Sequence, residues 1–469
     1  MTESTGTFPD GRLTRDPTGG GLFSHFLRFF ATGPDIPLLA DKAEIDRLYR
    51  SHRIRVMFGI TLCYGLVYTC RLALGMVKKP LIDGGIFTPV DLGTIGAALF
   101  YAYAFGKLFN GFLADYANQK RFLALGFLLT ALANIFMGFT TSVTLAAIIW
   151  GLNGWFQSFG APSSVVAMTA WFSNSERGRT YGVWSTAHSL GEGLTFLCVG
   201  GIVAALGWRA GFWAPGIVGV FCAFAAYKLV QDRPQTMGLP PIADWKNDHG
   251  IVKPKLQMKS VLGQQLAVLK LPAMWILGIS SALNYMTRYA IDSWGVLYLQ
   301  EVKGFSLPGA GAMLMLNTVA GAAGAILFGY MSDKWFKARR PPANLIFGVL
   351  EIAGLLLFFY GPATMTSLMA SMVLFGAGLT ALVTSVGGLF AVDLCPKRVA
   401  GAAMGVIGIF SYLGAALEEH VSGALIQKGI VMVDGVRHYD FTMPIYFWVA
   451  ACVVSVVLAT SLWNAKITA

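Results

Sequence analysis

Runs of about 20 apolar residues, the length at which an α-helix crosses the hydrocarbon of a bilayer, recur along this chain with short polar breaks between them. Twelve can be placed, at 54–77, 91–115, 121–140, 143–171, 178–205, 209–230, 272–301, 308–333, 342–361, 365–393, 399–427 and 441–463. With 55% hydrophobic and only 13% charged residues, the chain lacks the polar surface of a soluble fold. An all-α membrane protein is expected, because a helix satisfies its own backbone hydrogen bonds where no water is present. The 55 glycines suit helices that approach closely in lipid. The six cysteines lie in apolar runs or at their ends, without metal-binding spacing, so neither a disulfide framework nor a metal or other cofactor is expected.

Charge then sets the topology. The formal net charge of +11 does not point to nucleic acid, because the basic residues are not gathered in one patch. They concentrate in the loops after even-numbered spans and in "DRLYRSHRIR" ahead of the first, which places both termini in the cytoplasm and the protein in the cytoplasmic (inner) membrane. Residues 1–49 form a cytoplasmic lead-in whose "LFSHFLRFF" is too short to span and reads as an interfacial helix, not a signal peptide. A polar, proline-bearing segment at 231–270, with Arg233, Lys246, Lys253, Lys255 and Lys259, separates six-span halves at 50–230 and 271–469.

The halves read as copies. "GFLADYANQKR" (111–121) follows the second span and "GYMSDKWFKARR" (329–340) follows the eighth, each with a glycine, an acid four residues on and a basic cluster. "YTCR" (68–71) in the first span is matched by "YMTR" (285–288) in the seventh. Two halves related by a pseudo-twofold axis place a binding site near midplane between them, so Arg71 and Arg288 should converge on one cavity.

A guanidinium at membrane depth is expensive and calls for a partner or a purpose. Arg71 has only Val67 and Gly75 one turn away, whereas Arg288 has Asp292 at i+4. The competing reading for Arg71 is snorkelling, since Lys78 and Lys79 mark the outer surface a few residues on. Lys107 is a third cation within a span, its competing reading a contact with Asp115. His188 precedes Glu192 by one turn, a spacing that permits a helix-stabilising hydrogen bond and allows the acid to tune the imidazole. Such a set suits a compact dianion. Two planar forks match the oxygens of a tetrahedral phosphate better than those of a carboxylate, though a carboxylate carrier stays open on geometry alone. No P-loop, catalytic carboxylate pair or activated nucleophile is present, so an enzyme is not expected.

From about Asp41 to the last span the sequence resembles the organophosphate:phosphate antiporter family of the major facilitator superfamily. The most specific stretches are "AWFSNSERGRTYGVWSTAHSLGEG" (170–193), "DRPQTMGLPPIADWKND" (232–248) and "RYAIDSW" (288–294). The resemblance implies the major facilitator fold and exchange of an organic phosphate for inorganic phosphate. It also implies that Arg71 and Arg288 hold the phosphate, that Lys107 and His188 line the same pocket, and that Tyr64, Tyr68 and Tyr285 lie near it. Glu192 and Ser189 depart from the pattern, adding an acid beside His188. Asn317-Thr318 replace an acid early in the eighth span. In the eleventh, "LEEHVSG" carries Glu418, Glu419 and His420, with His420 where a lysine is expected. With Glu192 and Asp292, these three are the candidates for proton coupling or selectivity. The family also contains a sugar-phosphate sensor, so a receptor that signals to a membrane histidine kinase is the alternative reading.

Overall fold

A computed structural model describes residues 29–173, 175–248, 269–337, 339–394, 400–434 and 436–464. Most of the expected interfacial helix, and Lys253, Lys255 and Lys259 of the expected linker, lie outside these residues. Helices join into twelve rods among the described residues. They are α1 (Lys42–Asp83), α2 (Pro89–Ala114), α3 (Gln119–Met137), α4 (Val143–Gln157 and Gly160–Trp171), α5 (Arg177–Leu206) and α6 (Trp208–Leu229). The second six are α7 (Pro272–Tyr289, Ala290–Trp294 and Gly295–Glu301), α8 (Leu307–Trp335), α9 (Arg340–Tyr360), α10 (Met365–Leu394), α11 (Ala400–Lys428) and α12 (Thr442–Ser461). Nine are long and apolar enough to span a membrane. The other three are α4, interrupted at Ser158, and α7 and α11, which carry Arg288 and Asp292, and Glu418, Glu419 and His420.

Local chemistry explains where the rods start. Thr88 and Asp91 close a reciprocal cap on α2, and the side chains of Asn118, Ser142, Ser306 and Thr364 accept from the first turns of α3, α4, α8 and α10. α1 is longer than its apolar run because its first turns, capped by Asp41, carry the basic segment ahead of the membrane.

Packing repeats between the halves, as a duplicated unit requires. α1 contacts α5 and α6, α2 contacts α4, and α3 contacts α4 and α6; the same pattern joins α7 to α11 and α12, α8 to α10, and α9 to α10 and α12. Between halves α2 meets α11, α5 meets α8 and α1 meets α7. The fold is thus two six-helix halves facing each other across a central seam.

That seam is tight at one end. A Cβ at Gly93 of α2 would stand 2.4 Å from the Glu419 carbonyl oxygen, and one at Gly75 of α1 would be 3.1 Å from the Asp292 carbonyl. The first crossing excludes a side chain and the second leaves little room for one. At the end bearing the even-numbered loops α5 is exposed around most of its circumference, with only Thr180, Trp184 and Ala187 buried between 177 and 187. A hairpin of β1 (Ile430–Val433) and β2 (Val436–Tyr439) sits between α11 and α12 at the tight end, where the Arg437 guanidinium donates to the Ile82 carbonyl.

The start of the expected linker is folded onto the first half. Trp245 stacks on Tyr49 at 4.3 Å and donates to Asp46 at 2.6 Å, while Arg53 reaches Glu176 at 2.6 Å. Lys246 approaches the same carboxylate at 3.5 Å.

Candidate functional site

Arg71 projects from α1 into the seam with 3% of its surface exposed. Among the described residues no carboxylate pairs with it. Four rings face its guanidinium carbon instead, those of Tyr103 at 4.1 Å, Tyr412 at 5.0 Å, Tyr68 at 5.4 Å and Phe100 at 5.6 Å. Nε and Nη2 are buried without a hydrogen-bond partner. Ring faces attract a cation by about 0.5–2 kcal/mol each, but they accept none of the hydrogen bonds that a guanidinium loses with its water. The cage holds the charge and leaves two donors for an anion.

Arg288 comes from α7 of the other half, just ahead of a widened helical turn at Ala290–Trp294. Its Nη2 donates to Glu192 of α5 at 2.5 Å and its Nε to Asp292 at 3.1 Å. Thr318 of α8 donates to the second Glu192 oxygen at 3.4 Å. Glu192 thus pairs with Arg288 and not with His188, contrary to the one-turn spacing in α5. His188 faces the aromatic side instead. Its Nδ1 lies 3.3 Å from the Ser185 carbonyl, which can only accept, so Nδ1 carries hydrogen, and Nε2 is paired with the Tyr64 hydroxyl at 3.3 Å. Tyr64, Tyr68 and Trp184 pack around the imidazole at 5.2–5.4 Å.

Tyr412 of α11 ties these groups together. Its ring lies 5.5 Å from Lys107 Nζ, 4.4 Å from Tyr103 and 5.5 Å from Tyr285, whose ring in turn lies 6.0 Å from the Arg288 guanidinium. Lys107 makes no ion pair among the described residues, with Asp115 or any other acid. Arg71, Arg288, Lys107, His188, Tyr64, Tyr68 and Tyr285 therefore form one connected cluster. Sequence reasoning missed Tyr412, Phe100 and Tyr289 as members, the last packed 4.3 Å from Phe100 and 5.6 Å from the Arg288 guanidinium. A tyrosine at midspan in α11 was the available signal, but a lone aromatic in an apolar helix is ordinary packing until its neighbours are known.

Toward the tight end a second charged layer was also missed. Lys78 does not mark a surface: its side chain is 0% exposed, and its ammonium donates to Ser293 at 2.6 Å and Glu419 at 2.8 Å while lying 3.2 Å from the Trp294 ring centroid. Ser293 also donates to Glu419. This removes the support for snorkelling at Arg71, since the next cation along α1 is itself interior. A void of ≈ 10 Å³, room for about one water, lies between the layers, lined by Arg71, Phe100, Tyr289, Asp292, Ser293 and Glu419 among others. Glu418 is buried against Ser422 at 2.6 Å. His420, expected to share in the site, is instead exposed on the outer face of α11, because a one-residue step on a helix turns about 100° away from Glu419.

An apolar groove of about 710 Å³ lies between α3 and α4, lined by residues such as Leu129, Phe136, Leu145 and Phe156. It holds none of the charged cluster. For an anion the small charged seam is the relevant site.

Residues 20–417 match the model of the Major Facilitator Superfamily. Among relatives, the membrane sensor protein UhpC of Salmonella typhimurium is 33% identical over 402 residues, covering 83% of this chain and 89% of that one. A glycerol-3-phosphate transporter of Bacillus subtilis is 32% identical over 448 residues, 93% of this chain and 98% of the other. A probable hexose phosphate transport protein of Chlamydia pneumoniae is 31% identical, covering 84% and 90%. The chain belongs to the organophosphate:phosphate antiporter family of the major facilitator superfamily. A member of that family is a multi-pass membrane protein and not an enzyme. The fold agrees with a solved bacterial homolog of the human lysosomal transporter Spinster at a TM-score of 0.70 and 16% identity, covering 88% of this chain and 97% of that one.

Proposed function

We propose that this protein exchanges an organic phosphate, of the sugar-phosphate or glycerol-3-phosphate type, for inorganic phosphate across the cytoplasmic membrane by alternating access. The observation that carries this reading is Arg71, a buried guanidinium with two unpartnered nitrogens, held by aromatic rings in one cluster with a second arginine from the opposite half. A tetrahedral phosphate presents oxygens to both forks at once. The halves 50–230 and 271–469 rock about this site, with Lys107, His188, Tyr64, Tyr68 and Tyr285 as its walls. With both termini and the even-numbered loops in the cytoplasm, the open end of the seam is the inward-facing one. Closing the seam over an unpaired Arg71 is costly, and a bound phosphate removes that cost, which favours exchange over leak.

Reconstituted protein loaded with labelled inorganic phosphate tests the reading against external glycerol-3-phosphate, hexose 6-phosphate and phosphoglycerate. Release driven by at least one of these supports it, and release by carboxylates alone rejects it. The 33% identity to a membrane sensor supports a second reading, a sugar-phosphate receptor that acts on a partner kinase. Ligand binding without exchange in the same vesicles would favour the receptor.

A further inference from the structure

Glu192 stands where a ligand would. Its carboxylate crosses from α5 of one half to the Arg288 guanidinium of the other, with 10% of its side chain exposed. The one other hydrogen bond on it among the described residues is the long one from Thr318. We propose that Glu192 is a tethered counter-anion occupying part of the phosphate site, and that its fixed charge sets the charge of ligand the site accepts. This rests on the phosphate reading above.

The charges facing Glu192 define the effect. α7 contributes Arg288 and Asp292, α1 contributes Tyr68 with the Arg71 guanidinium over its ring, α5 itself carries His188, and α8 presents the Thr318 hydroxyl. Lys107 joins the cluster through Tyr412. Arg71, Arg288 and Lys107 are opposed by Glu192 and Asp292, so the site with a neutral His188 and both acids ionised has a surplus of one positive charge. An incoming anion meets a carboxylate already on Arg288. It must share or displace that carboxylate, and repulsion from the displaced group grows with each unit of charge the ligand brings. Arg71, with its free N–H groups, is the part of the site open without competition. A tetrahedral anion of single charge is matched by the surplus, whereas a dianion is accepted only against Glu192.

Neutralising Glu192 should therefore help a dianion more than a monoanion of the same shape. Sulfate and methanesulfonate form such a pair and do not change charge in the useful pH range. Binding of labelled inorganic phosphate at pH 8 to the purified full-length protein, and its competition by the two probes, would be compared in the wild type, Glu192→Gln, Glu192→Ser and Glu192→Asp. Both neutral variants should bind phosphate about tenfold or more tightly than the wild type, and competition by sulfate should improve more than that by methanesulfonate. Glu192→Asp, which keeps the charge, should keep the wild-type ratio of the two probes. Unchanged phosphate affinity in the neutral variants overturns the proposal. Equal gains for sulfate and methanesulfonate overturn it too, since they would make Glu192 a steric plug. Absence of phosphate binding in the wild type and in both neutral variants rejects the phosphate reading itself, and is thereby distinguishable from failure of the role given to Glu192.

Discussion

Replacing Glu419 with Gln should open the tight end of the seam. In the closed arrangement the Lys78 ammonium is 0% exposed and Glu419 2% exposed, and the pair joins α1 of the first half to α11 of the second. Removing one member of a buried ion pair costs about 3–5 kcal/mol, because the remaining charge is stranded. Lys78 would keep Ser293 at 2.6 Å and the Trp294 ring face, which together offset part of that loss and leave about 2–3 kcal/mol. The penalty falls on the closed arrangement alone, since separating α1 from α11 gives the ammonium back to water. The ratio of open to closed should rise roughly 30- to 150-fold. Spin labels at Thr141→Cys and Ala363→Cys, exposed positions in the α3–α4 and α9–α10 loops, read this directly in a cysteine-free background as growth of the longer inter-label distance. The double variant Lys78→Met with Glu419→Leu removes both charges and should return most of the closed population. If it is as open as Glu419→Gln alone, stranded charge is not the cause and the reasoning fails.

Three further outcomes are expected. Arg288→Lys keeps the charge but loses the planar fork, so phosphate exchange in vesicles should fall about tenfold or more while the amount of inserted protein is unchanged; equal exchange rates would show that the fork is dispensable. Arg71→Met should fill the aromatic cage with an apolar chain, so the purified protein should melt no lower than the wild type while phosphate binding is lost, as calorimetry and equilibrium dialysis would report. Burial raises the Glu176 pKa, but the hydrogen bond and charge of Arg53, with Lys246 behind it, outweigh burial and hold it below the ordinary carboxylate value. A depressed folded pKa contributes stability that is present above the unfolded pKa and lost as pH falls through the folded one. Amide exchange in 233–248 should therefore accelerate only at strongly acidic pH in the wild type, and already at neutral pH in Glu176→Gln.

Much of this molecule is readable from single helices. Span lengths, the duplicated "YTCR" and "YMTR" and the absence of a same-helix acid near Arg71 are local features, and each follows from burial cost or periodicity along one rod. The i+4 pairing of Arg288 with Asp292 was legible for the same reason. Pairings across the seam were not. Glu192 has an attractive neighbour one turn away in His188, yet the carboxylate goes to a guanidinium from the other half, a stronger hydrogen-bond partner because it is charged. Lys78 and Lys79 look alike in sequence, but Lys78 turns inward to Glu419 while Lys79 pairs with Asp83 at 3.0 Å and with Glu301, partly exposed. A helix position decides which of two adjacent lysines is interior, and that choice depends on where α7 and α11 lie.

The two seam pairings differ in what replaces them when the halves move. Lys78 and Glu419 are in direct contact at 2.8 Å beside the close crossing of Gly93 with the Glu419 backbone, so there is no room for a ligand between them and water is their substitute when the halves part. Glu192 and Arg288 belong to the same cluster as the unsatisfied Arg71 guanidinium, and there an anion can take the carboxylate's place. The first pair therefore acts on the equilibrium between arrangements whether or not a ligand is present, and the second acts on it through the ligand. Variants of Lys78 and Glu419 should alter label distances in the empty and the phosphate-bound protein by the same factor. Variants of Glu192 should alter the difference between those two states, and a change of equal size in both would mean that Glu192 is only another part of the latch.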